Sequence, residues 1–343
     1  MTTDSNGPTV GDRVAIKASP ARFPAGYDVY YYRHRWATAF APAMLLDLWS
    51  KIGWADVVHL TSVYSPPTIP TLLICKLRKK PVVWSTRGML QHWGGTTRKK
   101  VKGLWERACN MLCEARRVVM HVTSEEERRA SLERMDRASA EVIPNGIDLP
   151  ERTNAGRDWQ PDEQTRLLYL GRLDPIKGIE NLLQAVARLD QRVKLAICGD
   201  GDERYQTSLE ALTASLALCD RVSFHGKVTG EEKHESFRQA DVCVVPSHRE
   251  NFCMVVAESL AQGVPVIASR GTPWREVETI GCGMWVENDP ASLAVAIERI
   301  RHQPLDTMGE KGREWMEKEF SWTDVAEKMV RLYQRLAPAG AAR

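Results

Sequence analysis

The stretch that decides the fold runs from Val242 to Ala268: Val-Cys-Val-Val-Pro-Ser-His-Arg-Glu-Asn-Phe-Cys-Met-Val-Val-Ala-Glu-Ser-Leu-Ala-Gln-Gly-Val-Pro-Val-Ile-Ala. Short β-branched runs lie at its two ends, and the middle part from Met254 to Ala261 has the length and composition of a helix. A strand, a helix and a second strand in this order predict a parallel βαβ unit.

The same alternation extends upstream to Arg166. Over this part of the chain five strand-like runs alternate with four helix-like segments, which predicts a doubly wound α/β domain. Such sheets bind ligands at the carboxyl ends of their strands. The loops after Leu170, Cys198, Val245 and Ala268 are therefore where we expect the chemistry.

The first part of the chain shows a sparser version of this pattern. Strand-like runs begin at Asp56, Pro81, Arg117 and Glu141, but only one plausible strand, at 14–18, precedes them. We therefore expect a shortened first domain. Turn chemistry at 144–150 and a polar stretch to 163 predict a linker.

Together these patterns predict an α/β protein with two doubly wound, Rossmann-like domains. The expected boundaries are residues 1–154 for the first domain, which is incomplete at its start, and 155–320 for the second. Residues 321–343 are expected to form a C-terminal helix. A chain of 343 residues is long enough to build two cores of ordinary size.

Charge is distributed unevenly between the two parts. Residues 1–154 contain 23 Lys and Arg against 15 Asp and Glu, whereas the rest contains 24 against 29. A basic first part favours an anionic partner such as a phospholipid surface, a lipid-phosphate acceptor or nucleic acid. The alternative is an ordinary solvated surface, because the charges are scattered over many positions.

The compartment is predicted from what the sequence lacks. No apolar run approaches the roughly 20 residues of a membrane helix, and the polar residues 1–11 do not resemble a signal peptide. The eight cysteines have no zinc-ligand spacing, so we expect reduced and mostly buried thiols in the cytoplasm.

Two carboxylates eight residues apart, Glu250 and Glu258, flank the predicted helix start. If the helix begins near residue 251, its free backbone N–H groups can hold a diphosphate. Glu250 would then lie beside a sugar, and Glu258, about 12 Å away by helix rise, would reach the ribose. The alternative is a dipole-complementing Glu250 and a solvated Glu258. The residues at this predicted helix start are Asn251, Phe252, Cys253, Met254 and Val255.

A second motif, Gly171-Arg172-Leu-Asp-Pro-Ile-Lys177-Gly178, lies between a predicted strand and a predicted helix. Arg172 and Lys177 would neutralise a diphosphate, and they would stabilise the charge on a departing phosphate more than they stabilise the ground state. No metal is then needed, and no Asp-x-Asp pair is found near either motif. The turn that begins at Gly199 is a weaker signal, since such turns close many βα units.

These motifs resemble glycosyltransferase family 4, whose members adopt the GT-B fold. The resemblance is carried by Gly171-Arg-Leu, Gly199-Asp-Gly, Glu250-x7-Glu258 and the run Ala-x-Gly-Val-Pro-Val-Ile at 261–267, with Val-Ile-Pro-Asn-Gly-Ile-Asp at 142–148. It extends over about residues 56–322. It implies two Rossmann-like domains facing a central cleft, with the acceptor on the first domain. The C-terminal helix would pack back toward that domain.

The resemblance also implies roles for individual residues. Arg172 and Lys177 would contact the donor diphosphate, Glu250 the sugar hydroxyls and Glu258 the ribose. The remaining donor-side positions are Gly171, Gly199, and the backbone around Lys227 and Val228, which would border the base.

The implied activity is metal-independent, retaining transfer of a sugar from a UDP- or GDP-linked donor to a hydroxyl of a glycan or lipid-linked acceptor. The nucleotide sugar would be a co-substrate, with no cofactor. Ser85-Thr-Arg-Gly-Met-Leu90 and Gly271-Thr-Pro-Trp274 resemble the bacterial branch that builds lipopolysaccharide and other surface polysaccharides. This implies a cytoplasmic protein with peripheral contact at the anionic inner membrane face, and no nucleic-acid partner.

The sequence departs from the family pattern at three places. Cys253 stands where many relatives have Gly, and it would strain the loop if that position needs a positive φ. The family's Gly-rich loop near the start is not found. The acceptor-side His is replaced by Arg87, followed by Gly88, with His92 nearby as another acceptor-side candidate.

Two other functions fit the same motifs. One is a nucleotide-sugar-binding protein without transferase activity, which the shortened first domain would explain. The other is a sugar-nucleotide epimerase with the same two-domain fold, which the motif set favours less.

Overall fold

The computed structural model describes residues 1–4, 14–15, 19–35, 40–91, 99–151 and 164–337. Its backbone divides into two compact units. The first unit comprises Met1–Ile143 and Lys328–Arg343, and the second comprises Pro144–Glu327.

The described part of the first unit is built on a parallel four-stranded sheet in the order β5-β6-β7-β8. Two pairs of very short strands, parallel β1-β4 and antiparallel β2-β3, precede it. The strands are β1 (Thr2–Thr3), β2 (Ala21–Arg22), β3 (Asp28–Val29), β4 (Tyr31–Tyr32), β5 (Val58–Thr61), β6 (Val82–Ser85), β7 (Val118–Val122) and β8 (Ser139–Val142). The helices are α1 (Pro42–Trp54), α2 (Thr68–Leu77), α3 (Lys99–Leu112) and α4 (Glu125–Arg134).

The second unit is a six-stranded parallel sheet in the order β11-β10-β9-β12-β13-β14. Its strands are β9 (Thr165–Leu170), β10 (Val193–Cys198), β11 (Val222–Gly226), β12 (Val242–Val245), β13 (Val266–Ser269) and β14 (Gly283–Val286). Its helices are α5 (Ile179–Val186), α6 (Glu203–Ser215), α7 (Gly230–Gln239), α8 (Met254–Ala261), α9 (Glu276–Ile280), α10 (Pro290–Ile300) and α11 (Leu305–Glu319), and α12 (Trp322–Leu336) crosses to the first unit.

Side chains alternate between the two faces of this six-stranded sheet. Along β9, Leu167 and Tyr169 join one apolar core, whereas Leu168 joins the other. Both faces are therefore covered, which is why the strands are nearly continuous apolar runs in the sequence. The predicted doubly wound α/β architecture is confirmed.

The division between the units falls earlier than the predicted boundary after residue 154. The turn at 144–150 belongs to the second unit because Ile147 donates a hydrogen bond from its amide to the Phe320 carbonyl, at 2.9 Å. Gly146 lies against the ring of Trp322, which leaves no room for a side chain there. The predicted boundary at 320 is replaced by one at 327, inside α12.

The C-terminal part of α12 contacts the first unit's sheet through its side chains. The Tyr333 hydroxyl lies 2.5 Å from Nδ1 of His59 on β5, and Arg335 pairs with Glu141 on β8. The predicted strand at 14–18 is described only at residues 14–15, which are not in a strand.

Two further sequence-based expectations can be compared with the structure. None of the helices in the described ranges has the length and apolar content to span a bilayer. All eight cysteines are free, and six are buried. The expectation of mostly buried thiols is confirmed, with Cys219 exposed and Cys253 partly buried.

Candidate functional site

The loop after β9 lies against the loop after β10 at the carboxyl edge of the second unit's sheet. Gly171 donates an amide hydrogen bond to the Cys198 carbonyl at 2.9 Å, and Gly199 donates one to the Gly226 carbonyl at 2.7 Å. A Cβ at Gly199 would overlap the Gly171 carbonyl, so only glycine permits this approach. The two predicted glycines thus bring adjacent strand ends together.

Beyond Gly171 the chain forms a 3₁₀ turn at Pro175–Lys177, which Asp174 caps by accepting a hydrogen bond from the Ile176 amide at 3.0 Å. Gly178 follows at φ +64° and begins α5. A Cβ at Gly178 would overlap the Pro246 carbonyl, so this turn packs directly on the end of β12. The packing positions Lys177 over the loop that follows β12.

Lys177 and Glu250 form the central ion pair of the site, although they are separated by 73 positions in the sequence. Lys177 Nζ lies 2.5 Å from Glu250 Oε1, and the side chains are only 21% and 12% exposed. Ser247 donates its hydroxyl hydrogen bond to the same carboxylate oxygen at 2.7 Å. The carboxylate is therefore held in one orientation before any ligand is bound.

Arg172 is arranged differently from Lys177. Its side chain is 66% exposed and pairs with Asp174 at 3.2 Å. Exposed pairs of this kind are weak, so the guanidinium can leave Asp174 for a stronger anion at little cost. Of the two predicted phosphate-binding cations, Lys177 is preorganised and Arg172 is free to move.

The helix predicted to start near Asn251 starts three residues later. α8 begins at Met254, and Cys253 is its N-cap at φ +65°. The helix-start amides are therefore those of Met254 and Val255 out of the predicted set from Phe252 to Val255. The next amide, that of Val256, donates its hydrogen bond to the Cys253 carbonyl at 3.2 Å. The early start was wrong because the left-handed turn at Cys253 interrupts the apolar run that suggested a continuous helix.

The environment of Cys253 makes it a structural residue. Its thiol is enclosed in apolar surroundings and lies near Glu250, and both effects raise its pKa. Tyr169 nearby donates its hydroxyl hydrogen bond to the Arg172 carbonyl at 2.9 Å, and burial together with Glu250 raises the pKa of that hydroxyl. Neither group is activated as a nucleophile at neutral pH.

Glu258 lies on the second turn of α8, where it pairs with Lys233 of α7 at 2.7 Å. The predicted separation of about 12 Å from Glu250 assumed helix throughout, but residues 251–253 are not helical. Sequence patterns did not single out Lys233, since a lysine on a polar helix carries no distinguishing signal.

The predicted base-side residues follow β11. Lys227 is exposed, and Val228 is half-buried against the core that includes Phe252. Phe252 itself packs in an aromatic cluster with Trp274, Trp315 and Phe320, with ring centroids 5.2 to 6.1 Å apart. The indole N–H of Trp274 donates to the Phe252 carbonyl, which anchors the loop before α8.

In the first unit, the loop after β6 is held by Glu127 of α4, a carboxylate with no exposed surface. Its Oε1 accepts hydrogen bonds from the Gly88 amide at 2.5 Å and from the Thr86 hydroxyl at 3.0 Å. Its Oε2 accepts from the amide and the hydroxyl of Thr123 at 2.7 and 2.8 Å. Four donors therefore compensate the buried charge.

This clamp fixes the predicted acceptor-side residues Arg87 and Gly88 at φ +54° and +73°. A positive φ is costly for Arg and normal for Gly. The hydrogen bonds that Thr86 and Gly88 donate to Glu127 therefore stabilise the turn against the strain at Arg87. The third predicted acceptor-side residue, His92, lies outside the described residues. Sequence reasoning missed Glu127 because it looked like one of three helix-start glutamates.

A chain of hydrogen bonds crosses the first unit's sheet beside this loop. His121 Nε2 lies 2.9 Å from the Ile143 carbonyl, and Ser85 Oγ lies 2.7 Å from both His121 Nδ1 and His59 Nε2. A carbonyl oxygen can only accept a hydrogen bond, so His121 donates its Nε2 proton to Ile143 and, when neutral, has a free lone pair on Nδ1. His121 Nδ1 therefore accepts a hydrogen bond from the Ser85 hydroxyl. The Ser85 oxygen in turn accepts a hydrogen bond from Nε2 of His59. Burial lowers the pKa of His121 and favours this neutral form.

Within the described ranges, no group of three or more His, Cys, Asp or Glu side chains is arranged to hold a metal ion. Arg172, Lys177 and the amide donors at the start of α8 could stabilise a bound anion.

Two family models match the chain in succession. The model described as Glycosyltransferase Family 4 matches residues 5–151, and that described as Glycosyl transferases group 1 matches residues 152–317. The first covers the basic part of the chain, and the second covers the six-stranded sheet with its ion pair.

Curated relatives with similar sequences include transferases that act on inositol derivatives. A D-inositol 3-phosphate glycosyltransferase of Geodermatophilus obscurus is 32% identical over 68% of this chain and 55% of its own. A phosphatidyl-myo-inositol mannosyltransferase of Mycobacterium tuberculosis is 29% identical over 85% of this chain and 77% of its own. The chain spans about half the length of the D-inositol 3-phosphate enzymes it matches.

Solved structures share the fold. HepE of Anabaena, crystallised with UDP, has a TM-score of 0.71 at 16% identity, covering 89% of this chain and 86% of its own. Sucrose-phosphate synthase of Thermosynechococcus elongatus has a TM-score of 0.69 at 25% identity, covering 98% and 87%. With two family models matching from residue 5 to 317 and this fold, the chain belongs to glycosyltransferase family 4 and has the GT-B fold.

Proposed function

We propose that this chain is a retaining, metal-independent glycosyltransferase that moves a sugar from a nucleotide-sugar donor to a hydroxyl of a glycan or lipid-linked acceptor. The observation that carries the proposal is the ion pair of Lys177 and Glu250, with Ser247 on the same carboxylate, just before the start of α8. Cation, oriented carboxylate and helix start are the three elements that a sugar diphosphate requires.

Each element has a distinct task in the reaction. The amides at the start of α8 would bind the diphosphate oxygens with the positive end of the helix dipole. Lys177 and Arg172 would stabilise the negative charge that builds up on the leaving phosphate. Glu250 would accept hydrogen bonds from the sugar hydroxyls and so orient the anomeric carbon.

The proposed transfer step can be written in full without a nucleophile from the protein. The bond between the anomeric carbon and the diphosphate oxygen breaks, and a bond from the acceptor hydroxyl oxygen to the same face of that carbon forms. The hydroxyl proton passes to the departing phosphate oxygen. This agrees with the state of Cys253 and Tyr169, since their raised pKa values keep both groups protonated at neutral pH.

The donor and acceptor classes are inferred from similarity. HepE binds UDP and the mycobacterial relative is described as a lipid mannosyltransferase, so UDP- and GDP-linked sugars are the donors to test first. Glu258 would hold the ribose, with Lys227 and Val228 bordering the base. We expect the reaction to serve cell-surface polysaccharide synthesis in the cytoplasm, at the inner membrane face.

The test is turnover with a panel of UDP- and GDP-sugars, with donor hydrolysis as the readout until the acceptor is known. We expect one donor to be consumed and Glu250→Ala to lower kcat by roughly a hundredfold or more. Glu287→Ala is the matched control, because Glu287 pairs with Arg270 on an exposed surface of the same unit. No turnover of any donor, or an active Glu250→Ala variant, would contradict the proposal.

A second function, donor binding without transfer, would need only the second unit, which carries the ion pair of Lys177 and Glu250 and the start of α8. Calorimetry separates the two functions. Nucleotide binding with no hydrolysis or transfer would favour the binding protein, and conversion of the donor into its epimer would indicate the epimerase.

A further inference from the structure

Each of the two carboxylates around the start of α8 has a lysine of its own. Glu250 pairs with Lys177, which precedes α5, and Glu258 pairs with Lys233 of α7, at Nζ–Oε1 distances of 2.5 and 2.7 Å. The proposed reaction gives Lys177 a task and assigns none to Lys233. The place of Lys233 on α7 determines what it can do.

Lys233 lies on the side of α7 that packs against the sheet and α8. Phe237, one turn later on the same side of the helix, is 1% exposed and belongs to the core that contains Val256 and Ala257 of α8. The Lys233 side chain is itself only 28% exposed. Its aliphatic stem is therefore largely covered, and its ammonium group is delivered to Glu258.

Two further contacts hold α7 against its neighbours. The side-chain amide of Gln262, just after α8, donates a hydrogen bond to Nδ1 of His234. The thiol of Cys198, at the end of β10, lies 3.8 Å from the Ser236 hydroxyl oxygen. Both contacts lie within one turn of Lys233. They keep α7 in register with α8, so the ion pair does not depend on one flexible side chain.

Glu258 needs a counter-ion more than a surface carboxylate does. It is 26% exposed, and the residues on either side of it, Ala257 and Ser259, are fully buried. A partly buried carboxylate without a partner is costly, and it would repel an anionic diphosphate bound at the start of the same helix. The ammonium of Lys233 removes both effects. A carboxylate has about four acceptor positions, so a bond to one ammonium leaves positions for ribose hydroxyls.

We propose that Lys233 is a positioning residue of the donor site, which orients and neutralises Glu258 so that this carboxylate binds the ribose hydroxyls of the nucleotide. Through Glu258, Lys233 selects donors built on ribose, such as UDP- and GDP-linked sugars, over donors built on 2′-deoxyribose. The inference rests on the proposed function for the placement of the ribose at Glu258. The ion pair and the packing of α7 are independent of that placement.

The test is calorimetric titration of the full chain with UDP, GDP and the 2′-deoxy analogue of each. We expect Lys233→Met to weaken ribonucleotide binding roughly tenfold and to reduce the preference over the deoxy analogue from roughly tenfold to about twofold. Lys233→Arg keeps the charge and should retain both. In the Glu258→Gln background, Lys233→Met should weaken binding by no more than about threefold, because the carboxylate that it orients is gone.

Arg238→Met is the matched control. It removes one positive charge from the same helix, but Arg238 pairs with Glu231 and Glu235 within α7 and should leave nucleotide affinity unchanged. Thermal melts of every variant report folding. An unaltered preference for the ribonucleotide in Lys233→Met, or an equal loss of affinity in the Glu258→Gln background, overturns the role of Lys233.

Failure of this inference is distinguishable from failure of the proposed function. If the unaltered chain consumes a donor and binds UDP or GDP but shows no coupling between Lys233 and Glu258, the inference alone is overturned. If it neither consumes a donor nor binds either nucleotide, both are overturned.

Discussion

Both units are built on a parallel sheet with helices, but the side chains that they bury are different. The second unit buries both faces of a six-stranded sheet and adds an aromatic cluster that anchors the loop before α8. The first unit has a four-stranded sheet in its described part. It buries a carboxylate on α4, carries a hydrogen-bonded pair of histidines on its sheet, and leaves large apolar side chains on its outer helices.

The difference shows how each unit holds its functional loops in position. In the second unit the site is built from backbone turns and close glycine contacts that a rigid apolar core supports. In the first unit the loop with Arg87 depends on a single buried carboxylate, Glu127, and its four donors. Substitutions in the second unit should therefore lower the free energy of unfolding through lost packing. In the first unit they should lower it by leaving buried hydrogen-bonding groups without partners.

The largest effect is expected from Trp274→Ala in the second unit. Trp274 is 2% exposed and packs on three aromatic rings, so its removal should lower the free energy of unfolding by about 3–5 kcal/mol. Trp54→Ala in the first unit, where the side chain is 86% exposed, should change it by less than about 0.5 kcal/mol. Denaturant unfolding measures both, and equal losses would contradict the packing difference.

A somewhat smaller loss is expected from Glu127→Gln in the first unit. The amide NH₂ would face two donors that now bond to a carboxylate oxygen, which should cost roughly 3 kcal/mol. The neighbouring Glu126→Gln is the control, because Glu126 is exposed and pairs with Arg129 on the surface. If chemical denaturation gives the same stability for both variants, the clamp does not sustain the loop.

The histidine chain predicts a pH effect confined to the first unit. Burial lowers the pKa of His121 in the folded state, so the unfolded chain binds the proton more tightly. Stability is then full above about pH 6.5 and falls as the pH drops toward the folded pKa, by at most about 1.4 kcal/mol per pH unit.

Urea unfolding at a series of pH values measures this slope. The slope should shrink in His121→Gln and remain in His302→Gln, because His302 is a half-exposed surface residue. A slope that His121→Gln leaves unchanged would assign the pH dependence to other groups.

The smallest effect concerns the strained turn before α8. Cys253 has φ +65°, so Cys253→Gly should be more stable than Cys253→Ala by about 1 kcal/mol, since only Gly avoids the left-handed penalty. At Cys243, inside strand β12, the order should reverse. Thermal melts of the four variants give the comparison, and the same order at both positions would refute strain at Cys253.

Much of the second unit was predictable because its signals are local. The strand at 242–245 and the helix at 254–261 have the predicted bounds, since β-branched runs and helical spacing are short-range properties. Only the alternative start near residue 251, from which the diphosphate amides were assigned, was wrong, because the left-handed Cys253 interrupts the apolar pattern there. Lys233 and Glu127 gave no signal, since a charged residue on a polar helix acquires a role only through its neighbours in space.

By itself, the sequence determined the α/β class, the order of strands and helices from β9 to β13, and the motif pair of Arg172 with Lys177 and Glu250 with Glu258. Those features depend on residue type and spacing along the chain. The elements α9, β14 and α10 were not predicted. Only the tertiary structure decided that Lys177 rather than Arg172 holds Glu250, that Glu258 pairs with Lys233, and that Glu127 clamps the loop of Arg87. Each of these is a contact between distant segments, and its geometry exists only after the sheets have brought those segments within hydrogen-bond reach.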